Sequence, residues 1–272
     1  MKRALLATAA AAVVMLVPAS PALADDTRCV GFLPPATYDN IVVPEGQFCF
    51  LSNSVVRGNA KSLERSRFFS VNNVIRGNLE ADKSERVFFT GNTTTTSDVA
   101  GNRTVGGNVH VKELRGNPGE SFNIGICNLA VGGDLIVEDA RGARVEIGSK
   151  LPNCAQGNDV EGNLQVFKNR LSSQQVAGRF FDDMSVFNNR VGGEVQVFEN
   201  VSPTPNNPQN VERNRVEGNM QVFKNQGPEA DKRVVNNTIG ENLQCKENDE
   251  PFVGQPNIVG GNAEDQCGRP SS

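Results

Sequence analysis

The 272-residue chain contains no tryptophan, one tyrosine (Tyr38) and one histidine (His110). Each scarcity removes a class of chemistry. With a single histidine, a Ser-His-Asp or Cys-His site has only one imidazole to be built around. A multi-histidine zinc centre lacks its ligands. Tryptophan and tyrosine are the aromatic residues that usually stack on sugars, and they are nearly missing. Positive charge is short as well: 27 Lys and Arg against 31 Asp and Glu leave a formal net charge of −4. That balance argues against nucleic acid or anionic lipid as partners. Beyond the first two dozen residues, no apolar run approaches membrane-spanning length.

Those first residues have their own logic. Met1, Lys2 and Arg3 precede an Ala/Val/Leu stretch to Val17, and Ala22-Leu23-Ala24 stands before an acidic start at Asp25. The pattern predicts a secretory signal peptide over residues 1–24, cleaved after Ala24. A mature chain of 272 − 24 = 248 residues remains, and loss of Lys2 and Arg3 takes the formal charge from −4 to −6. Six cysteines, Cys29, Cys49, Cys127, Cys154, Cys245 and Cys267, are an even number. In an exported protein that argues for disulfides.

Internal repetition dominates the rest of the chain. "VEGNLQVFKN" at 160–169 returns as "VEGNMQVFKN" at 216–225. In relaxed form, [VI]-x-G-[NDE] begins at Val56, Ile75, Val105, Val131, Val160, Val191, Val216 and Val259, with a shifted copy at Ile239. Nine copies at intervals of 19 to 31 residues read as a solenoid. Four places past each start the residues are all apolar, from Ala60 and Leu79 to Leu243 and Ala263. Six places past they are mostly small and apolar, as at Val111, Val137, Val166, Val197 and Val222. Between them stand Lys61, Glu80, His110, Ile136, Gln165, Gln196, Gln221, Gln244 and Glu264, nearly all polar. In-out-in alternation is a β-strand with one buried face. Glycine two places past the start predicts a corner needing positive φ or close backbone approach. Asparagine follows it in most copies, and a second asparagine column lies two places before the start, at Asn73, Asn158, Asn189, Asn214, Asn237 and Asn257. Stacked amides at corners can bond to one another and to turn backbone.

The minimum coil is 19 residues, and longer coils carry polar insertions such as Thr93 to Thr96 and the stretches after Leu171 and Val201. Extra residues bulge outward without breaking a stack. Cys29 and Cys49, Cys127 and Cys154, and Cys245 and Cys267 are each about one coil apart. Residues so spaced sit above one another near the strand spacing of about 4.8 Å, close to what a disulfide spans. Three sequential bonds follow, each stabilising by roughly 3 kcal/mol in the chain-entropy model.

"CVGFLPPATYDNIVVPEGQFC", "GGNVHV", "GGDLIV", "EGNLQVFKN" and "GENLQCKEND…NIVGGNAEDQC" together resemble a group of secreted actinobacterial β-solenoid proteins. The chain is more distantly similar to bactofilins, which are right-handed parallel β-helices, and departs from them in its export signal and its cysteines. The resemblance to the actinobacterial group carries no activity.

Catalytic constellations are scarce. His110 falls in an outward column, and the acids aligned on outward positions (Glu80, Asp82, Glu138, Glu194) are scattered. Asp182-Asp183 and Glu247-Asp249-Glu250 supply oxygen ligands but lack calcium-loop spacing. No cofactor is implied. One outward column stands apart. Phe167, Phe198 and Phe223 stack on consecutive coils beside Gln165, Gln196 and Gln221, a candidate binding face for a sugar chain or a protein. Alternatively the strand turns a corner there, or the insertions after Leu171 and Val201 lie over the rings.

The expectation is therefore all-β: a single right-handed parallel β-helix of about nine coils with disulfide-bearing ends. Residues 25–50 form an N-terminal cap, 51–267 the helix and 268–272 a disordered tail. The expected role is a secreted non-catalytic structural or binding rod facing a cell-envelope glycan or an extracellular protein. The alternative is a carbohydrate-active β-helix, either a lyase or hydrolase or a glycan-binding module.

Overall fold

A computed structural model describes residues 25–91, 104–117, 122–148, 154, 156–172, 184–203, 208–227, 232–250, 252–254 and 256–268. The signal segment 1–24, Thr93–Thr96, Asp182-Asp183 and the tail beyond Gly268 lie outside the described residues. So does most of each insertion after Leu171 and Val201.

Every strand pairing is parallel, and each links one coil to the next. Among the described residues one sheet has eleven strands, a second has nine, and a third face is built of two-residue strands. The chain is a three-sided parallel β-helix. The coil at Val160 shows how sequence makes it. Asp159–Val160 lies on the third face, Gly162-Asn163 turns the first corner, and Leu164–Phe167 runs along the eleven-stranded sheet. Lys168-Asn169 turns the second corner, Met184–Phe187 forms the second sheet, and Asn188-Asn189 turns the third. Val160, Leu164, Val166, Leu171, Met184 and Val186 point inward and are buried. Each contributes about 1.5–3 kcal/mol by leaving water.

The nine motif copies account for nine of the eleven strands in the long sheet. The other two come from the segment expected as a cap. Asp26–Arg28 pairs with Asn40–Val43, and Asn40–Val43 pairs with Ala60–Ser62. Residues 26–50 are themselves coils, stacked by the same ladder hydrogen bonds as the rest.

The corners correct one expectation. The motif glycines do not have positive φ; the left-handed positions are instead Lys83, Glu113, Asp139, Lys168, Glu199, Lys224 and Glu247 at the second corner. At the third corner they are Asn53, Asn72, Asn128, Asn188, Arg213 and Asn236. A non-glycine residue there costs about 1–2 kcal/mol, less for asparagine. What the motif glycine provides is room. A Cβ on Gly162 would collide with Asp134 Oδ1 and lie 2.8 Å from Gly133 O. That space is taken because the polar residue after the preceding glycine reaches across to the next coil. Asp134 Oδ1 accepts from Asn163 N at 2.7 Å, and Asn163 Oδ1 accepts from Glu194 N at 2.9 Å. Glycine and asparagine in this motif are one device: the amide occupies the volume a side chain on the next glycine would need. Glu241 stands in the glycine slot of its coil, and there the backbone bond to Gly218 O lengthens to 3.3 Å.

Two further asparagine ladders run inside, most of their members directly after a left-handed residue. The column Asn158, Asn189, Asn214, Asn237, Asn257 was legible from the motif. A second one, Asn169, Asn200, Asn225, Asn248, closes on Gln266. Each inner amide does the same work. Asn200 Oδ1 accepts from Asn169 N (3.2 Å) and Nδ2 (2.9 Å), while its Nδ2 donates to Val166 O and Asn225 Oδ1, both at 2.9 Å. These bonds hold the tight second corner and offset its unfavourable φ.

Candidate binding faces

The outward face of the eleven-stranded sheet carries the glutamine and phenylalanine columns. The strand pairing brings all six predicted residues into register: Gln165, Gln196 and Gln221 in one row, Phe167, Phe198 and Phe223 in the next. All six are half-buried. Phe167 and Phe198 are parallel, 4.7 Å between centroids with planes 2° apart. Their facing surfaces are therefore spent on each other, and Lys168 Nζ lies 5.9 Å from the Phe167 ring. The glutamines form their own ladder. Gln165 Nε2 donates to Gln196 Oε1 at 2.7 Å, and Gln196 Nε2 donates to Gln221 Oε1 at 3.0 Å and to Glu194 Oε2 at 3.1 Å. At Phe167 and Phe198 this strip offers a partner ring edges and ladder ends rather than both aromatic faces, whereas Phe223 has no ring stacked on it among the described residues.

Toward the N-terminus the same face becomes charged. His110 Nε2 lies 2.8 Å from Glu138 Oε1 in a half-exposed pair on a flat strand surface. Glu247, Asp249 and Glu250 do not converge. The Glu247 carboxylate lies 3.8 Å from Lys224 Nζ, while the Asp249 and Glu250 backbone carbonyls accept from Lys232 Nζ. Among the described residues, no cluster of three or more His, Cys, Asp or Glu is arranged to hold a metal.

A second aromatic row escaped the motif alignment. Phe32, Phe50, Phe69 and Phe88 are register partners on the outward face of the second sheet. Phe48 and Phe122 flank them. Ring centroids run 5.4 Å from Phe32 to Phe50, 6.4 Å from Phe69 to Phe88 and 5.5 Å from Phe88 to Phe122, with tilted planes. The Arg86 guanidinium sits 4.5 Å from the Phe122 centroid and 5.5 Å from that of Phe69. Exposure reaches 74% at Phe32 and 36% at Phe48. Phenylalanine at positions 50, 69 and 88 recurs every 19 residues, which was the available signal.

The three expected disulfides are all present: Cys29–Cys49, Cys127–Cys154 and Cys245–Cys267, and no described cysteine is free. One lysine is buried near the C-terminal end. Lys232 is 1% exposed, points inward in register with Gln209, and donates to Asn225 O, Asp249 O and Glu250 O beside the Phe252 ring. Burial pushes its pKa down to about 8, against the opposing pull of Asp249 and Glu250.

The fold thus defines a class, the disulfide-bonded parallel β-helices. No helix among the described residues is long and apolar enough to cross a membrane. Comparison with protein-family models, curated proteins and solved structures finds no match to this chain.

Proposed function

We propose that this protein is a secreted, non-catalytic binding rod that engages an extended extracellular partner along its outward faces. The observation that carries the reading is the aromatic row Phe32, Phe50, Phe69 and Phe88, with one ring per coil left partly open to solvent. A row of this kind matches a partner that is itself linear, whereas a small substrate calls for a closed pocket. The signal-like segment 1–24, the disulfides and the resemblance to secreted actinobacterial proteins support an extracellular setting. The Gln/Phe strip is a lesser face of the same rod, because the Phe167 and Phe198 rings and the three amides already engage one another.

A glycan and cell-wall binding array on the disulfide-intact protein tests this. Phe32→Ser with Phe69→Ser should remove most of the captured signal, and Phe198→Ala should change it by less than about threefold. Absence of binding to every glycan, wall fraction and extracellular protein tried would refute the reading.

A further inference from the structure

Charge on this rod is arranged by coil. Opposite charges on adjacent coils pair repeatedly: Arg57 with Asp39, Lys61 with Glu80, Lys83 with Glu113, Arg67 with Glu85, Arg190 with Glu217, and Lys224 with Glu247. One column carries three like charges in succession. Arg115, Arg141 and Arg170 are parallel register partners on three consecutive coils. All three are exposed, and none makes an ion pair among the described residues. Each follows the second corner by the same offset, outward after the inward residues Leu114, Ala140 and Asn169, so their direction is set by the coil.

The described acids nearest in sequence are engaged elsewhere or out of reach. Glu113 is engaged by Lys83 and Lys112. Glu85, on the preceding coil, is held by Arg67 through two N–H bonds of 3.0 and 2.7 Å and also accepts from Asn117 Nδ2. Asp139 lies at the left-handed corner two residues before Arg141 and is not within ion-pair distance of any of the three. On the far side the column ends on Val201, which pairs with Arg170. In a chain of net charge −4, three like charges about 4.8 Å apart along the stack repel one another and gain nothing from the fold. They are complementary to a row of anions with the same spacing.

We propose that the Arg115, Arg141 and Arg170 column is a binding site for a linear acidic polysaccharide carrying one carboxylate per sugar. A chain of uronic acids laid along the column presents carboxylates that a guanidinium can meet through parallel N–H bonds. The neighbouring aromatic row argues for a sugar over a bare phosphate polymer. That row ends at Phe88 and Phe122, and Phe122 belongs to the same coil as Arg115. Aromatic rings suit the apolar faces of sugar rings, and a polyphosphate has no such face. The site rests on the binding-rod reading and names its ligand class.

The test uses polygalacturonate as probe, with fully methyl-esterified polygalacturonate as the neutral control, by titration calorimetry and affinity electrophoresis. The disulfide-intact chain should bind polygalacturonate at least tenfold more tightly than the ester. Arg141→Gln should weaken binding severalfold. The triple variant R115Q/R141Q/R170Q should lose the preference for acid over ester. Raised salt should weaken the wild type more than the triple variant. These side chains are exposed and make no ion pairs among the described residues, so the variants should keep the wild-type circular dichroism spectrum and melting temperature; were the triple variant to unfold, Arg141→Gln alone would decide. Equal binding of acid and ester, an unaffected Arg141→Gln variant, or tighter binding of linear polyphosphate would overturn the assignment. Retention of Phe32- and Phe69-dependent capture on a neutral glycan in that event would leave the binding-rod reading standing.

Discussion

Asn200 offers the sharpest test of what holds the coils together. It is fully buried at the second corner, and its side chain takes part in four hydrogen bonds: from Asn169 N, from Asn169 Nδ2, to Val166 O and to Asn225 Oδ1. Leucine has similar bulk and none of these groups. A typical bond contributes a net of about 0.5–1.5 kcal/mol, and a buried donor left without a partner costs more. Four bonds, including one to a buried backbone N–H, put Asn200→Leu at about 3–5 kcal/mol destabilising. Asn59 is the control. It lies in the exposed outer ladder, and its side chain accepts one bond, from Asn78 N at 2.8 Å. Asn59→Ala should cost about 1 kcal/mol or less. Asn200→Asp should be the worst of the three at neutral pH, because its second oxygen would face Val166 O and Asn225 Oδ1, acceptor against acceptor, and carry buried charge. Burial raises that carboxyl above its unfolded value, so the loss should be present at neutral pH and shrink as pH falls through the raised pKa. Urea titration followed by far-ultraviolet circular dichroism reads the stabilities, and hydrogen exchange at the Asn169 amide reads the corner directly. An Asn200→Leu variant within about 0.5 kcal/mol of wild type, with the Asn169 amide still protected, would refute the ladder as a stabilising element.

Two further outcomes follow from the corners and the core. Gly162→Ala should destabilise by about 1–3 kcal/mol through its collision with Asp134 and Gly133, and Asp134→Ala should relieve part of that loss. A double variant no better than Gly162→Ala in thermal melts would count against the shared glycine–amide device. Lys232 should give stability a pH dependence. Its pKa is about 8 in the folded chain against 10.5 as the ordinary value, so the unfolded chain binds more protons between those limits. The penalty is complete below pH 8 and is relieved as pH rises toward 10.5. Wild type should therefore gain on Lys232→Met across that window in matched urea titrations, and parallel curves would show that the amine is not held charged in a desolvated site.

Much of this architecture was legible in the linear pattern. Leu164 and Val166 alternate with Gln165 and Phe167, and a period of two assigns inside and outside without reference to any other coil. The cysteine pairs were legible for a related reason: residues one coil apart stack, and the three pairs are so spaced. Other features were not. The inner ladder through Asn169, Asn200, Asn225 and Asn248 stands at a constant nine places past each start, but that its side chains turn inward and bond coil to coil is decided by the second corner. The aromatic row at Phe32, Phe50, Phe69 and Phe88 belongs to the second sheet. Phe69 and Phe88 stand the same thirteen places past Val56 and Ile75, but from Val105 on the insertions change that offset and the columns of the second sheet cannot be followed by counting from the valine. The left-handed residues were hidden because lysine and glutamate are not the residue types that φ > 0 usually selects.

From the sequence alone came the repeat, the inward and outward alternation of the long sheet, the even cysteine count with its one-coil spacing, and the pairing of glycine with asparagine. All are local or periodic properties, set by strand geometry and the length of a coil. Whether glycine serves φ or space, which side chains of different coils meet, and whether a ring face is free or stacked are questions of juxtaposition. The tertiary structure decided them. It buried the Phe167 and Phe198 faces against each other, left Phe32 open, and placed three arginines in a row with no ion-pair partner among the described residues. Insertions of unequal length erase those relations from the linear order, and only the lateral hydrogen bonds between coils restore them.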